Sequence, residues 1–332
     1  MNEQNLKISK SGIYKICLII LASLFAFATF MPFLTDYYGK TFGFFNGILN
    51  FFNAFITDDK PSISAILYFL LYLIITLSIL SMCIISFIKN AHYLLNKEEK
   101  EDILFLTIGI GLYLGTAFFT CLKRGAIYLS IDQYNGTISS QSFTPFFGYM
   151  CVISIIYFIL IKSKSYNLSF KNFDSKAFIK CSIESLCLIF AFVTITNVFN
   201  LNFGIRTLEE SWTGEITPSI EYKTIGYFVN YLNSDAKSVP SNGKLLVFIL
   251  SLVPFLLTAN FVIQSLTSKK LFITKICSNI VSIILVIVPF IIFAALKTND
   301  TTMVFITSSN IFLIIICLIP LILNILEKNI FR

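Results

Sequence analysis

Long apolar runs separated by short polar breaks fill the chain from end to end. Eight of them read as spans, at about 13–35, 63–88, 103–122, 145–162, 177–200, 245–266, 272–296 and 303–326. A helix rises about 1.5 Å per residue, so each run has roughly the length needed to cross about 30 Å of hydrocarbon. The runs are continuous and do not alternate with polar positions, which predicts helices and not the strands of a membrane barrel. The expected fold is all-α: a polytopic membrane protein with about eight transmembrane helices.

One stretch between the first two runs follows a different rule. In 41–57, Phe45, Ile48, Leu49, Phe52, Phe55 and Ile56 recur at helical spacing, while Asn46, Asn50, Asn53 and Thr57 fall on the other side. Too short to span, this pattern predicts an amphipathic helix lying at the membrane surface, apolar face down. Asn46, Asn50 and Asn53 then form either a wet face or a polar lip for a partner outside.

Composition narrows the class. Hydrophobic residues make up 56% of the 332 residues, charged residues 13%, and the mean hydropathy is +0.81. A water-soluble domain carries roughly 25% charged residues, so this chain cannot cover a wet surface. The net charge of +7 needs no nucleic acid, because Lys and Arg collect in cytoplasmic loops and set orientation. With the N-terminus inside, the inner segments hold sixteen of the 25 basic residues, among them Lys15, Lys97, Lys162, Lys180 and Lys275. Both termini are therefore expected in the cytoplasm. The heavy use of Phe, Ile, Asn and Lys points to an AT-rich bacterial genome, and the location to its plasma membrane. Lys7, Lys10 and Lys15 before an apolar run, with Ala26-Phe27-Ala28 resembling a cleavage site, suggest a signal peptide. The run continues through Phe33 and Leu34, which fits a retained span better. The eight cysteines fall in or at the ends of apolar runs, where they read as small buried apolar residues and not as a disulfide framework or a metal site.

Two long outer loops, about 36–62 and 201–244, follow the first and fifth spans. Within them Ile48-Leu49-Asn50-Phe51-Phe52-Asn53 resembles Phe228-Val229-Asn230-Tyr231-Leu232-Asn233. The chain is thus expected to consist of two tandem four-helix halves, 1–166 and 167–332, entering the membrane in the same direction. In the second loop, Thr217 and Pro218 suit the cap and first residue of a helix matching 41–57. Its acidic part holds Glu209, Glu210 and the single tryptophan, Trp212, which read as a solvated stretch with an interfacial anchor or as a partner-binding surface.

Chemistry-bearing residues are sparse. One histidine, His92, lies in an inner loop, no Gly-rich phosphate loop occurs, and nothing implies an enzyme, a metal or a cofactor. Glu184 is the carboxylate that lies well inside a span, where an ionisable group is costly. Lys180 stands one turn before it. Asn260 and Asn279 fall at similar depth in the sixth and seventh spans, with Gln264 one turn from Asn260. The corresponding positions of the first half are Ile19, Leu80 and Ile108. Glu184, Lys180, Asn260, Gln264 and Asn279 could line a polar pocket open to the cytoplasm, or could be an interfacial pair with interhelical hydrogen bonds. In the third span, Thr107, Gly111 and Gly115 allow close helix approach, and Pro254 and Pro289 interrupt two later spans. The functional expectation is a non-enzymatic membrane protein whose outer loops bind a protein partner or seat it in an assembly. The alternative is a transporter or channel with its polar site near Glu184.

Overall fold

The computed structural model describes residues 10–35, 41–45, 47–49, 52, 63–128, 142–165, 174–198, 202–210, 216–224, 243–266, 272–295, 302–306 and 308–330. Among these are eight long helices: α1 (Lys10–Ala28), α2 (Ile63–Leu95), α3 (Leu104–Tyr128), α4 (Pro145–Ser165), α5 (Ser175–Asn197), α6 (Gly243–Leu266), α7 (Phe272–Ala295) and α8 (Ser308–Ile330). Five contain stretches long and apolar enough to cross a membrane: 69–95, 145–164, 175–196, 272–289 and 310–327. The apolar parts of the other three, 12–28, 104–120 and 252–266, are shorter.

The chain divides into two compact units. The first comprises Met1–Thr116 with Ser139–Ser154, and the second Ala117–Ile138 with Ile155–Arg332. In the first, α1 packs on α2. The helix faces are inside out relative to a soluble protein. The inward stripe of α2 is Tyr72, Thr76, Ile79, Cys83, Ser86 and Asn90, while Ile74, Leu77, Ile84 and Ile88 point outward. In α1, Leu18, Ala22 and Phe25 are buried and Ile13, Ile20, Leu24 and Phe27 are exposed. Outward faces this apolar belong in lipid, not water.

The strands are the element that the apolar runs concealed. In the first unit, β1 (Pro32–Thr35), β2 (Thr41–Gly43) and β3 (Ser142–Phe143) form an antiparallel sheet in the order β2-β1-β3. Leu34 pairs with Phe143. Phe33 anchors the layer beneath, with ring centroids 4.8 Å from Phe44, 5.9 Å from Phe42 and 6.3 Å from Phe147. Tyr113 closes the cluster against Phe44 and Phe25. Thr144 ties the sheet to α4. Its N–H donates to the Phe33 carbonyl (3.0 Å) and its hydroxyl to the Pro32 carbonyl (2.8 Å). The same hydroxyl accepts from the Phe147 N–H, capping a helix that opens with Pro145. Gly43 leaves no room for a side chain, since an added Cβ would stand 2.7 Å from the Met31 carbonyl oxygen. Gly109 of α3 faces α2, where a Cβ would meet Cys83 Sγ and Met82 Cβ at 3.3 Å.

Thr41–Gly43 is strand, so in the 41–57 segment the helical residues begin at Phe44 and include 45, 47–49 and 52. Phe45, Leu49 and Phe52 are exposed there. Asn46, Asn50 and Asn53 lie outside the described residues.

In the second unit, β4 (Asn202–Glu210), β5 (Ile216–Thr224) and β6 (Thr302–Ile306) form an antiparallel sheet in the order β5-β4-β6. This corrects the expectation of a helix opening at Thr217 and Pro218. Both residues lie in β5, opposite Glu209 and Leu208. The reason is legible afterwards: Ile216, Pro218, Ile220 and Tyr222 alternate with Thr217, Ser219, Glu221 and Lys223, a period of two. Pro218 is tolerated because β5 is an edge strand, where a missing N–H costs no ladder bond. The helices of this unit pack in a closed series: α5 on α6 and α8, α7 on α6 and α8. Phe261 of α6 holds the centre against Phe158 (4.8 Å) and Phe192 (5.7 Å). Pro254, Pro289 and Pro320 lie inside α6, α7 and α8.

Candidate functional site

The site lies at one end of the second unit, where the end of α4 and the starts of α5 and α7 meet. The Asp174 side chain caps α5 by accepting from the N–H groups of Lys176 (3.0 Å) and Ala177 (3.3 Å). Glu184, ten residues into that helix, is 4% exposed. Its two oxygens face two lysines. Lys275 Nζ donates to Oε1, and Lys162 Nζ lies 3.4 Å from Oε2. Lys162 is 3% exposed and Lys275 7%. Lys162 sits in the last turn of α4, where the helix dipole favours a cation. Lys275 sits in the first turn of α7, where the dipole opposes one, so Glu184 is the group that stabilises it there. Glu327 of α8 and Lys180 of α5 lie within electrostatic reach of this group.

Lys162, Glu184 and Lys275 line a small cavity with Cys187, Leu188, Gln264 and Asn324. It has room for about one or two waters. Beside it, α6 and α7 are joined by polar side chains. Gln264 Nε2 donates to Asn279 Oδ1 at 2.9 Å. Asn260 donates to the Ser278 carbonyl and to Ser282 Oγ, and Ser278 Oγ donates back to Asn260 Oδ1.

Of the residues singled out from sequence, Glu184 and Gln264 thus meet at one cavity, and Asn279 is bonded to Gln264. Asn260 belongs to the adjoining seam with Ser278 and Ser282. Lys180 is half-buried on the same helix as Glu184. Lys162, Lys275 and Asn324 were missed. In sequence both lysines read as inner charges that set orientation, although each stands in a terminal turn of a helix. Among the outer candidates, Trp212 lies outside the described residues. Glu209 and Glu210 form the far end of β4, paired with Thr217 and Ile216.

The asparagine seam gives a direct check. Asn260→Leu is expected to cost about 1–2 kcal/mol, read as a lower thermal midpoint in detergent. Asn260→Gln should lose less if the longer amide still reaches Ser278.

In the first unit, at the α2–α3 turn, the polar arrangement is structural. Lys15 of α1 is 3% exposed, and its ammonium donates to the carbonyls of Tyr93 and Glu98 at the α2–α3 turn. Asn90 and Asp102 exchange two bonds of 3.0 Å: Asn90 Nδ2 to the Asp102 carbonyl, and the Asp102 N–H to Asn90 Oδ1. His92 faces Glu98 at 3.8 Å.

No family model, curated protein or solved structure matches the chain. The class that the fold defines is a helical membrane protein, carried by its apolar, outward-facing helices.

Proposed function

We propose that the chain is an eight-span membrane protein built from two tandem halves, with both termini in the cytoplasm, and that its outer sheets bind a protein partner. The observation that carries this reading is the repetition of one element order. Among the described residues, the long helices and strands of each half run helix, strand, strand, helix, helix, strand, helix, and the first strand is central in each sheet. The register agrees as well. Leu34 pairs with Phe143 and Phe203 with Ile306. Leu34 stands six residues beyond the end of α1, and Phe203 six beyond the end of α5. Phe143 and Ile306 each precede a threonine, Thr144 or Thr307, that leads into a helix. Ile48 and Phe228 each stand fifteen residues before the next helix, α2 or α6. Counted from the helix ends, the opposite number of Glu184 is then Lys15 rather than Ile19, since each lies thirteen residues before its helix ends.

Antiparallel pairing of β1 with β3, and of β4 with β6, requires the segment after the first helix and the segment before the fourth to meet at one face. That parity fits helices that alternate in direction across a bilayer. A protein needing only short turns between spans would not fold both loops into sheets, so the sheets are the parts given over to recognition. The test is in-cell photo-crosslinking from single photoreactive residues at Glu210 and Ile216, at the end of the hairpin where the chain passes from β4 to β5. One adduct of defined mass, lost when the hairpin is shortened, is expected. Absence of any adduct from intact cells contradicts partner binding here.

A second reading, transport, is favoured by the buried Lys162–Glu184–Lys275 group and the prolines inside α6, α7 and α8. Glu184→Gln, which leaves Lys162 and Lys275 without their carboxylate and lowers stability, should then abolish cation or proton coupling in vesicles reconstituted from the fraction that folds.

A further inference from the structure

We infer that the free edge of β6 pairs with the same strand of a second copy of the chain, joining two outer sheets into one. The inference rests on the reading that the sheets lie outside and bind protein, and it names the partner. It starts from how the four edge strands are guarded. An uncovered edge presents a row of unpaired N–H and C=O groups, and natural sheets blunt it with short strands, proline or charge. The first sheet is blunted by length, since β2 has three residues and β3 two. In the second sheet β5 carries Pro218, Glu221 and Lys223. β6 has none of these. It is five residues long, Thr302-Met303-Val304-Phe305-Ile306, without charge, proline or glycine. Among the described residues it pairs with β4 alone. α7 approaches it, but a helix spends its backbone groups on its own ladder and cannot supply those of a strand.

The residue pattern points the same way. β5 alternates apolar with polar residues, as a strand with one wet face does. In β6, Met303 and Phe305 fall at one parity and Val304 and Ile306 at the other. That reads as a strand covered on both faces and not as a wet rim. A second copy suits this edge better than a loose segment of another protein. Copies inserted the same way hold β6 at the same height above the bilayer, so neither has to order a flexible segment to reach the other. With no charge in β6, self-pairing sets no like charges against each other. Adjacent residues of a strand turn their N–H groups to opposite edges. β4 takes one set, either 302, 304 and 306 or 303 and 305, and the other set is left for the partner.

Hydrogen exchange at residue resolution over 302–306 reads the pairing without a mutation. The full chain is excised with its lipid from the cell membrane in polymer discs, which keeps all copies in one orientation, and discs holding two copies are separated by mass. Single copies are prepared by reconstitution at a low protein-to-lipid ratio. In single copies every second amide of β6 is unbonded and exchanges fast. In two-copy discs those amides should slow about tenfold or more, while the set bonded to β4 is slow in both. Val304→Pro and Phe305→Pro probe the same edge. One of the two removes only a bond to the partner; it should keep the parent thermal midpoint and leave single copies. The other removes a bond to β4 and should lower the midpoint. Absence of two-copy discs, equally fast exchange of the alternate amides in both samples, or two-copy discs that survive both substitutions overturns the inference. An adduct from Glu210 or Ile216 in that case still supports partner binding through another part of the sheet, so the two failures are told apart.

Discussion

Replacing Glu184 with leucine is expected to cost the second unit about 3–5 kcal/mol, because it leaves Lys162 and Lys275 buried without their shared carboxylate. Few membrane domains have that much stability to spare, so the variant should purify in low yield or unfold well below the parent temperature. The cost comes from two uncompensated ammonium groups and not from the loss of an especially strong bond. Replacing all three charges with apolar residues of similar volume should therefore restore most of the stability. Thermal denaturation of Glu184→Leu beside the triple variant Lys162→Met, Glu184→Leu, Lys275→Met separates these effects. If Glu184→Leu alone keeps the parent midpoint, the two lysines are not held by Glu184.

Phe33→Ala is the matching experiment in the first unit. Phe33 is fully buried, and its ring meets those of Phe42, Phe44 and Phe147. Truncating a phenylalanine in such a site costs about 3–5 kcal/mol, from lost transfer free energy and the cavity left behind. The sheet should suffer first, because Phe33 lies in β1, the central strand. Hydrogen exchange should then rise at the Thr144 and Phe147 amides, which depend on the β1–α4 junction. Phe27→Ala, on the exposed face of α1, should lower the midpoint far less.

The helices were legible because lipid and core alike demand apolar side chains, so burial is written into the sequence as long runs. The outward faces of α1 and α2 follow that rule residue by residue. The sheets were harder to read. In β5 the alternation from Ile216 to Lys223 was present, yet Pro218 carries the same meaning at the first turn of a helix and on an edge strand. Only pairing with β4 decides between them, and that is a tertiary fact. At Glu184 the cost of a buried carboxylate was visible, and it implied a cation. Its neighbour in sequence was Lys180, whereas Lys162 and Lys275 reach it from other helices, 22 and 91 residues away along the chain. Lysines at helix ends also serve orientation, so nothing local marked these two as buried. Depth matched Asn279 with Asn260, whereas Asn279 is bonded to Gln264 one turn further on and Asn260 bonds Ser278 and Ser282.

Site-specific labelling tests the proposed topology most directly. Single cysteines are placed in a cysteine-free chain and treated, in intact cells, with a reagent that cannot cross the membrane. The account predicts labelling at Thr41, Ser140, Ser219 and Thr301, next to or within the strands. It predicts protection at Asn96, Ser175 and Ser268 until the membrane is opened. That pattern requires α2 to α7 all to cross, including α3 and α6 with their shorter apolar parts. Labelling of Asn96 or Ser268 in intact cells, or protection of Ser140 or Thr301, would contradict the eight-span duplicated architecture.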